Sequence, residues 1–206
     1  MSGPPELASR VRTLRRCLDG SVDVQGVYQG LVARSLTGWR MPRAFLVLDT
    51  TSVAGRVYVA RLAMIHASRA LPLAWRVYEQ RSATVGFRDY RSLLEAADRL
   101  LPPWMERVLL ADRGFLHMGL ARWVLDHGWR LRLPAKGGVT ITLPDGSSGS
   151  IGSRRRLTGA ARYCDSVYIG AARVGPLGLV LSWPRYGKDQ TLHVLSDDPP
   201  TERTLW

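Results

Sequence analysis

Apolar side chains change their spacing several times along the 206-residue chain, and each change predicts a different element. Residues 5–38 carry apolar positions at helical spacing among arginines, broken once by an Asp-Gly pair, which predicts two helices. Ala44–Leu48 is instead a continuous apolar run, typical of a strand that is covered on both faces. Residues 56–67 and 70–79 follow at short spacing and predict two further strands. The chain therefore begins with helices and continues into a three-stranded meander.

Helices and strands alternate after this meander. An amphipathic helix is predicted over Arg88–Leu101, before two prolines, and a buried strand over Glu106–Ala111. A second helix over Leu116–His127, followed by Gly128, leads to a fifth strand within residues 129–135. A strand that is reached through a helical crossover runs parallel to its neighbour, whereas the strands of a meander are antiparallel. We therefore predict an α/β fold with a mixed sheet of the α+β kind, in the order of a ribonuclease-H-like core.

The pattern changes again from Lys136 onward, where turn residues surround short apolar runs. An Asp-Gly pair at 145–146 suits a β-hairpin, and the apolar runs need burial in a sheet, which a linker would not provide. Further strands are predicted at Val167–Val174, Leu177–Trp183 and Thr191–Leu195, and the start of a helix at Thr201. This part of the chain is therefore predicted to be a β-rich insertion.

Three regions follow from these patterns: an N-terminal helical segment (1–40), a ribonuclease-H-like core (41–136), and the β-rich insertion with the start of the final helix (137–206). No apolar run approaches the length of a membrane span, and the N-terminal residues do not resemble a secretory signal. Cys17 and Cys164 lie far apart without a zinc-binding or disulfide spacing, so two reduced thiols are expected. We therefore expect a cytoplasmic protein that does not engage a membrane.

Charge narrows the choice of partner. The chain has 29 lysines and arginines against 17 aspartates and glutamates, a formal net charge of +12, and all but two of the basic residues are arginines. A surplus of this size attracts polyanions, and the arginine guanidinium matches phosphate oxygens well. Nucleic acid is therefore the expected partner. An anionic membrane surface is a weaker rival, because no basic amphipathic helix stands out.

Two aspartates occupy matching positions after predicted strands. Asp49 follows the first apolar run and Asp112 follows the fourth, and parallel neighbouring strands would bring both to one edge of the sheet. Carboxylates that lie close together between apolar residues repel each other, and a divalent cation removes this conflict. Mg²⁺ or Mn²⁺ suits such oxygen ligands, and two ions roughly 3.5–4 Å apart would activate a water or hydroxyl against a phosphodiester. Either aspartate alone is more simply a turn residue, but the matched pair favours a metal site.

The sequence around both aspartates resembles a known family. The segments LVLDTTSV (46–53) and LLADRGF (109–115), the second continued by LARWVLDHGWRLRLPAKG, are similar to the catalytic core of DDE transposases of the insertion-sequence-four type. The resemblance extends from about Ala44 to Trp206. It implies a ribonuclease-H-like fold, and Mg²⁺-dependent DNA strand cleavage and strand transfer at transposon ends, with Asp49 and Asp112 as the first two metal-binding acids. It also implies a bacterial protein that is associated with the nucleoid.

At the position of that family's third acid, this sequence departs from the family's pattern. In the family it is a glutamate within a helix that also carries a tyrosine, an arginine and a lysine, and PPTERTLW (199–206) resembles only the approach to this helix. Glu202 lies upstream of the expected position, and a favourable charge in a helix's first turn explains it better. We therefore expect one metal ligand to be missing and activity to be weak or absent. The alternatives are an inactive remnant that binds DNA or pairs with a full-length transposase, and a metal-dependent nuclease unrelated to transposition.

Several basic residues are candidate DNA contacts. Arg113 and Lys136 would flank the metal site and meet phosphate oxygens there. The run of Arg154, Arg155 and Arg156 could also bind phosphates, although such a run is more often a solvated surface. The four histidines show no shared metal-binding spacing. The sequence does not fix the oligomeric state, and a homodimer is one assembly that the resemblance allows.

Overall fold

The computed structural model describes residues 9, 12, 23–53, 57–79, 86–154, 161–182 and 192–200, which contain three α-helices and ten strands besides the helical residues Ser9 and Arg12. The helices are α1 (Val24–Leu36), α2 (Phe87–Leu100) and α3 (Met118–Asp126). The first five strands are β1 (Arg43–Val53), β2 (Val57–His66), β3 (Arg69–Glu79), β4 (Glu106–Ala111) and β5 (Arg130–Pro134). The others are β6 (Thr140–Thr142), β7 (Ser148–Ser150), β8 (Ala161–Ile169), β9 (Val174–Ser182) and β10 (Leu192–Ser196), and a short 3₁₀ helix spans Gly152–Arg154. No helix among these residues has the length and apolar character needed to cross a membrane.

The ten strands form one sheet in the order β3-β2-β1-β4-β5-β10-β9-β8-β6-β7. β2 pairs antiparallel with both β1 and β3. β4 runs parallel to β1, and β5 runs parallel to β4. The order 3-2-1-4-5 with this mixture of directions is that of a ribonuclease-H-like sheet, so the predicted fold class is confirmed. β10 pairs antiparallel with β5, and the β-rich part therefore extends the same sheet beyond the core.

One face of the central strands packs against the helices. Ala44, Leu46 and Leu48 of β1 are at most 1% exposed, whereas the residues between them are half-buried, so the strand is not equally covered on both faces. The helices bury apolar residues in the same core, namely Val32 and Leu36 of α1, Leu93, Leu94 and Ala97 of α2, and Leu120, Ala121 and Val124 of α3. α2 also forms the crossover from β3 to β4 that allows the parallel pairing. The core thus holds β1 and β4 side by side, in the register that positions the candidate site.

α1 covers the outer edge of the sheet through its side chains. The backbone N–H of Trp75 donates to Gln25 Oε1 at 3.1 Å, and Gln29 Nε2 donates to the carbonyl oxygen of Leu73 at 3.1 Å. Because the two glutamines are one helical turn apart, they satisfy two neighbouring backbone groups of the edge strand β3. The rings of Tyr28 and Trp75 pack edge to face beside these bonds, with centroids 5.6 Å apart. The second predicted N-terminal helix is therefore a structural cover of the sheet edge.

The predicted helices of the core are confirmed, with small shifts at their ends. α2 begins one residue earlier than predicted. α3 begins at Met118, two residues later than predicted, because His117 caps it: the His117 Nδ1 accepts a hydrogen bond from the N–H of Gly119 at 3.0 Å. The chain leaves α3 through Gly128, whose φ of +67° is a conformation that glycine adopts readily. The first predicted N-terminal helix, apart from Ser9 and Arg12, and the helix predicted at Thr201 lie outside the described residues.

The β-rich part confirms the hairpin and corrects one strand. β6 and β7 pair antiparallel around the Asp-Gly pair, with Gly146 at a φ of +83°. The strand predicted at Val167–Val174 is wrong, because β8 ends at Ile169 and β9 begins only at Val174. Gly170 and Arg173, with φ values of +65° and +47°, lie in the turn between these strands. The apolar run that the sequence presents as continuous is therefore interrupted by a reversal of the chain.

Candidate active site

The register of β1 and β4 brings Asp49 and Asp112 to neighbouring positions. The last registered pair of these parallel strands is Leu48 with Ala111, and the two aspartates are the residues that follow. Paired strands lie about 4.8 Å apart, so the two backbones leave the pairing side by side. Both residues therefore lie at the carboxyl end of the parallel part of the sheet. Their role as metal ligands stays a prediction.

Asp49 does not end β1, and the sequence-based expectation was wrong on this point. The strand continues to Val53, but beyond Leu48 it pairs only with β2, as far as the pair of Val53 with Val57. What ends at Asp49 is the pairing with β4, because β4 itself stops at Ala111. Asp112 directly follows β4 and starts a turn in which the N–H of Phe115 donates to its carbonyl oxygen at 2.9 Å.

Each carboxylate has one oxygen engaged by the protein. Asp49 Oδ2 lies 3.2 Å from Nη2 of Arg61, its partner in the register of β1 and β2, and the two side chains are 44% and 46% exposed. Asp112 is exposed, and its Oδ1 accepts a hydrogen bond from the N–H of Arg113 at 2.6 Å. Within the described ranges, no donor lies on Asp49 Oδ1 or Asp112 Oδ2. As far as the described residues are concerned, each carboxylate thus retains one oxygen that a further ligand could use.

The donor set at this edge suits a small hard cation that is held jointly with a substrate. Mg²⁺ commonly binds one or two carboxylates and completes its shell with water and phosphate oxygens. Two aspartates meet that minimum. No group of three or more His, Cys, Asp or Glu residues that could hold a metal ion occurs in the part of the chain that the structure describes. The described residues therefore fit a metal that also binds a phosphate ligand better than a metal held by protein ligands alone.

Two of the predicted basic residues lie at the same end of the strands. Arg113 is exposed directly after Asp112, and Lys136 is exposed shortly after β5. Because β5 runs parallel to β4, the segment that contains Lys136 leaves the sheet at the same end as Asp112. These two cations therefore lie at the same end of the sheet as the two aspartates, and their role in binding DNA stays a prediction.

Arg154, the first residue of the predicted arginine run, ends a described segment that packs beside the end of β5. The N–H of Gly152 donates to the carbonyl oxygen of Gly137 at 2.7 Å, which brings the 3₁₀ helix that ends at Arg154 next to the segment after Lys136. Arg154 is half-buried, and its Nη2 lies 3.4 Å from the carbonyl oxygen of Ser147. Arg155 and Arg156 lie outside the described residues. A role of this run in DNA binding stays a prediction.

Sequence reasoning missed an ion-pair network at the opposite, amino end of the same strands. Glu106 starts β4 and forms ion pairs with Arg43 at the start of β1 and with Arg130 at the start of β5. Arg130 Nη1 also lies 2.6 Å from Asp198 Oδ1 and 3.4 Å from Asp197 Oδ2. Asp197 and Asp198 therefore anchor the chain after β10 to the start of β5.

Two acids of this network have pKa values that are shifted in opposite directions: the pKa of Glu106 is lowered and that of Asp197 is raised. Desolvation acts to raise the pKa of Glu106, but hydrogen bonds and the charges of Arg43 and Arg130 lower it overall. Burial raises the pKa of Asp197, even though its Oδ1 accepts a hydrogen bond from the N–H of Leu131 at 2.8 Å and Arg130 is close. A charged residue at the first position of each of three parallel strands is the sequence signal that could have revealed this network.

Comparison with known proteins finds a solved structure with a similar fold, but it shows no family for this chain. No protein-family model matches the chain, and no curated protein matches it by sequence. The piggyBac transposase, in its synaptic complex with hairpin DNA, is similar with a TM-score of 0.51 and 15% identity, over 95% of this chain and 42% of that one. The chain thus spans less than half of that transposase.

Two endonuclease V structures have lower scores. Ciona intestinalis endonuclease V, in complex with DNA containing an inosine followed by a ribo-adenosine, has a TM-score of 0.38 at 15% identity, over 87% of this chain and 84% of that one. The catalytic domain of human endonuclease V has a TM-score of 0.34 at 19% identity, over 98% of this chain and 86% of that one. At these scores the likeness between the folds is weak. The chain is therefore similar in fold to part of a transposase, and at 15% identity the likeness concerns the fold alone.

Proposed function

We propose that this protein is a DNA-cleaving enzyme of the DDE transposase class, of the insertion-sequence-four type, that acts at transposon ends. The observation that carries the proposal is the register of β1 and β4, in which Asp49 and Asp112 follow the last pair of two parallel strands. The likeness in fold to a transposase supports it. The motifs around both aspartates give the specific class.

In this proposal Asp49 and Asp112 hold Mg²⁺ or Mn²⁺. When bound, such an ion lowers the pKa of a water and neutralises charge on the phosphodiester that is cleaved. Water attacks the phosphorus, and the 3′-oxygen leaves with a proton. In the transfer step the resulting 3′-hydroxyl attacks the phosphorus of a target phosphodiester and loses its proton, and the 3′-oxygen of the target strand leaves as a protonated hydroxyl. Arg113 and Lys136 bind the phosphates on either side and thereby fix the strand relative to the two carboxylates.

DNA is the proposed partner because of charge as well as fold. The formal net charge of +12 is carried almost entirely by arginines, and it would draw both transposon ends and target DNA. We expect binding that weakens steeply with salt concentration. Assembly as a homodimer, or with a full-length transposase, and a location at the bacterial nucleoid are parts of the same proposal.

A second candidate is an inactive remnant that binds DNA without cleaving it. It is favoured by the number of carboxylates, because within the described ranges only Asp49 and Asp112 come together at this edge. Glu202 lies outside those ranges. The last described residue before it is Pro200, which lies beside Gly178 of β9. β9 is the third strand from β4 in the sheet, so the two strands are about 14 Å apart at ordinary strand spacing. The last described residue before Glu202 therefore lies well away from the pair of aspartates.

Plasmid nicking with purified protein separates the two candidates. We expect Mg²⁺ or Mn²⁺ to support cleavage, and Asp112→Asn and Asp49→Asn to abolish it while DNA binding persists. Asp126→Asn is the matched control, because Asp126 is an exposed aspartate at the end of α3, away from the edge of β4. If the wild type binds DNA but nicks it with neither ion, the remnant interpretation replaces the enzyme. Equal cleavage of plasmids with and without transposon ends would instead indicate a nuclease unrelated to transposition.

A further inference from the structure

A depression next to Asp49 is not used by the proposed chemistry. It has a volume of about 330 Å³ and lies on one face of β1, β2 and the start of β3. Asp49 and Arg61 form its end near the proposed cleavage site, and Arg69 lies at its other end, beside the turn that joins β2 and β3. Its volume is at the lower end of the range of about 300–1,000 Å³ that is typical of small-ligand sites. It has room for one nucleotide and is too small for a duplex.

The floor of the depression is apolar. Val47 and Ala63 are opposite each other in the register of β1 and β2, two residues from the pair of Asp49 and Arg61, and therefore share its face of the sheet. Ala70 of β3 continues this floor, and Ile65, at 38% exposure, forms an apolar wall. Among the described residues that line the depression none is aromatic. A flat apolar group could rest on this floor without displacing core side chains.

The rim of the depression carries a net positive charge. Asp49 contributes one negative charge, and Arg61 and Arg69 contribute two positive charges. Arg61 is held by Asp49 at 3.2 Å, whereas Arg69 is exposed at the start of β3. An anionic group that enters the depression would therefore be attracted chiefly by Arg69, and by Arg61 once Asp49 has another partner.

The turn beside Arg69 is held in a conformation that non-glycine residues seldom adopt. Ala67 and Ser68 have φ values of 47° and 60°, so both central residues of this two-residue hairpin turn are left-handed. A turn of this kind matches the twist of paired strands and fixes their ends closely. Ser68 lines the depression as part of this turn. The far end of the depression is therefore a well-defined feature of the hairpin.

We propose that this depression binds one unpaired nucleotide of the DNA strand that is cleaved, adjacent to the phosphate at Asp49. The base rests on Val47, Ala63 and Ala70, and the phosphate of the same nucleotide is bound by Arg69 and Arg61. This inference rests on the proposed function, because it assigns the strand that would pass Asp49. Without an aromatic stacking partner the site accepts any base, and its preference is for an unpaired nucleotide over a paired one.

The test uses a duplex oligonucleotide that ends in a three-nucleotide overhang with 2-aminopurine as its first unpaired base, in EDTA so that no cleavage occurs. Stacking on neighbouring bases quenches 2-aminopurine, so its emission rises when the base moves onto an apolar floor that has no aromatic residue. We expect this rise with the full-length wild-type chain. Ala70→Leu fills the depression from an exposed position, and should weaken binding of the overhang about tenfold while a blunt duplex binds as before.

Two matched controls lie on the same strand but outside the depression. Val77→Leu places the same leucine side chain at another exposed position of β3, and Arg76→Ala removes an exposed arginine. Both should bind the overhang within about twofold of the wild type, whereas Arg69→Ala should bind it about fivefold more weakly at low salt.

The proposal is overturned if the emission does not rise with the wild type, or if Ala70→Leu weakens the overhang and the blunt duplex equally. It is also overturned if free deoxyadenosine monophosphate competes as well as the oligonucleotide, because the site would then serve a small molecule. Since all these measurements are made without metal, they stand apart from the nicking assay. A protein that never cleaves DNA but gives the expected emission changes would refute the proposed function and keep the nucleotide site.

Discussion

The two ends of the parallel strands carry charged residues in different states of pairing. At the amino end, Glu106 lies between Arg43 and Arg130, and its charge is balanced by the fold itself. At the carboxyl end, Asp49 meets one arginine and Asp112 accepts a hydrogen bond from the N–H of the next residue. A carboxylate that is paired on two sides is a structural link, whereas one that keeps an unused oxygen at an exposed edge can take a ligand. The comparison separates charges that hold the sheet together from charges that are candidates for chemistry.

The largest effect expected from this comparison is on activity at the carboxyl end. Asp112→Asn removes a negative ligand from the proposed metal site, and we expect the rate of plasmid nicking to fall roughly a thousandfold, which corresponds to several kcal/mol of transition-state stabilisation. Asp112 is exposed, so the free energy of unfolding should change by less than about 0.5 kcal/mol. Nicking rates and urea unfolding of the same preparation measure both quantities. A large loss of stability would mean that Asp112 belongs with Glu106 as a structural residue.

The next effect is on stability at the amino end. Arg130→Ala removes the partner that Glu106, Asp197 and Asp198 share, and we expect the free energy of unfolding to fall by about 1–2 kcal/mol. The value is modest because the Arg130 side chain is 38% exposed and water screens its ion pairs. Arg91→Ala, which breaks a single pair with Glu95 on α2, should cost about 0.5 kcal/mol or less. Equal losses in the two variants, measured by urea unfolding, would show that the network adds nothing beyond isolated pairs.

The pH dependence of the free energy of unfolding tests the pKa shifts of the acids in this network. Glu106 has a pKa below its ordinary value of 4.5, so it contributes stability that is present above that value and is lost as the pH falls through its folded-state pKa. Asp197 has a pKa above its ordinary value of 3.8, so its contribution is present below that value and is lost as the pH rises through its folded-state pKa. Between pH 6 and pH 3, Glu106→Gln should therefore flatten the fall in unfolding free energy on acidification, and Asp197→Asn should steepen it. Changes of slope in opposite directions relative to the wild type are the expected observation, and curves parallel to that of the wild type would contradict the assigned shifts.

The elements of the core could be predicted from sequence because their signals are local. A change from helical to strand spacing is visible within one segment, and Glu106–Ala111 was predicted with the bounds of β4. The position of Asp49 within β1 could not be predicted in the same way. The apolar run ends at Leu48, but the strand continues because β2 remains beside it, and only the length of β4 decides where the parallel pairing stops.

The ion network was missed because its members are far apart in the sequence. Arg130 and Asp198 meet only after β6–β10 have returned the chain to β5, and neither residue carries a local signal of that contact. The turn between β8 and β9 was missed for a related reason, since a left-handed Arg173 cannot be inferred from an apolar run around it. The candidate metal pair, in contrast, could be proposed from sequence because each aspartate follows its own apolar run.

The smallest expected effect links the carboxyl end to the nucleotide site. Asp49→Asn removes the charge that holds Arg61 at 3.2 Å, so the guanidinium becomes available to a phosphate in the neighbouring depression. In EDTA we expect this variant to bind the 2-aminopurine overhang about threefold more tightly than the wild type, although it no longer nicks DNA. Asp126→Asn removes one negative charge elsewhere and controls for the change in net charge. If both variants gain the same affinity, the effect is a general one of charge, and Arg61 does not pass from Asp49 to the nucleotide.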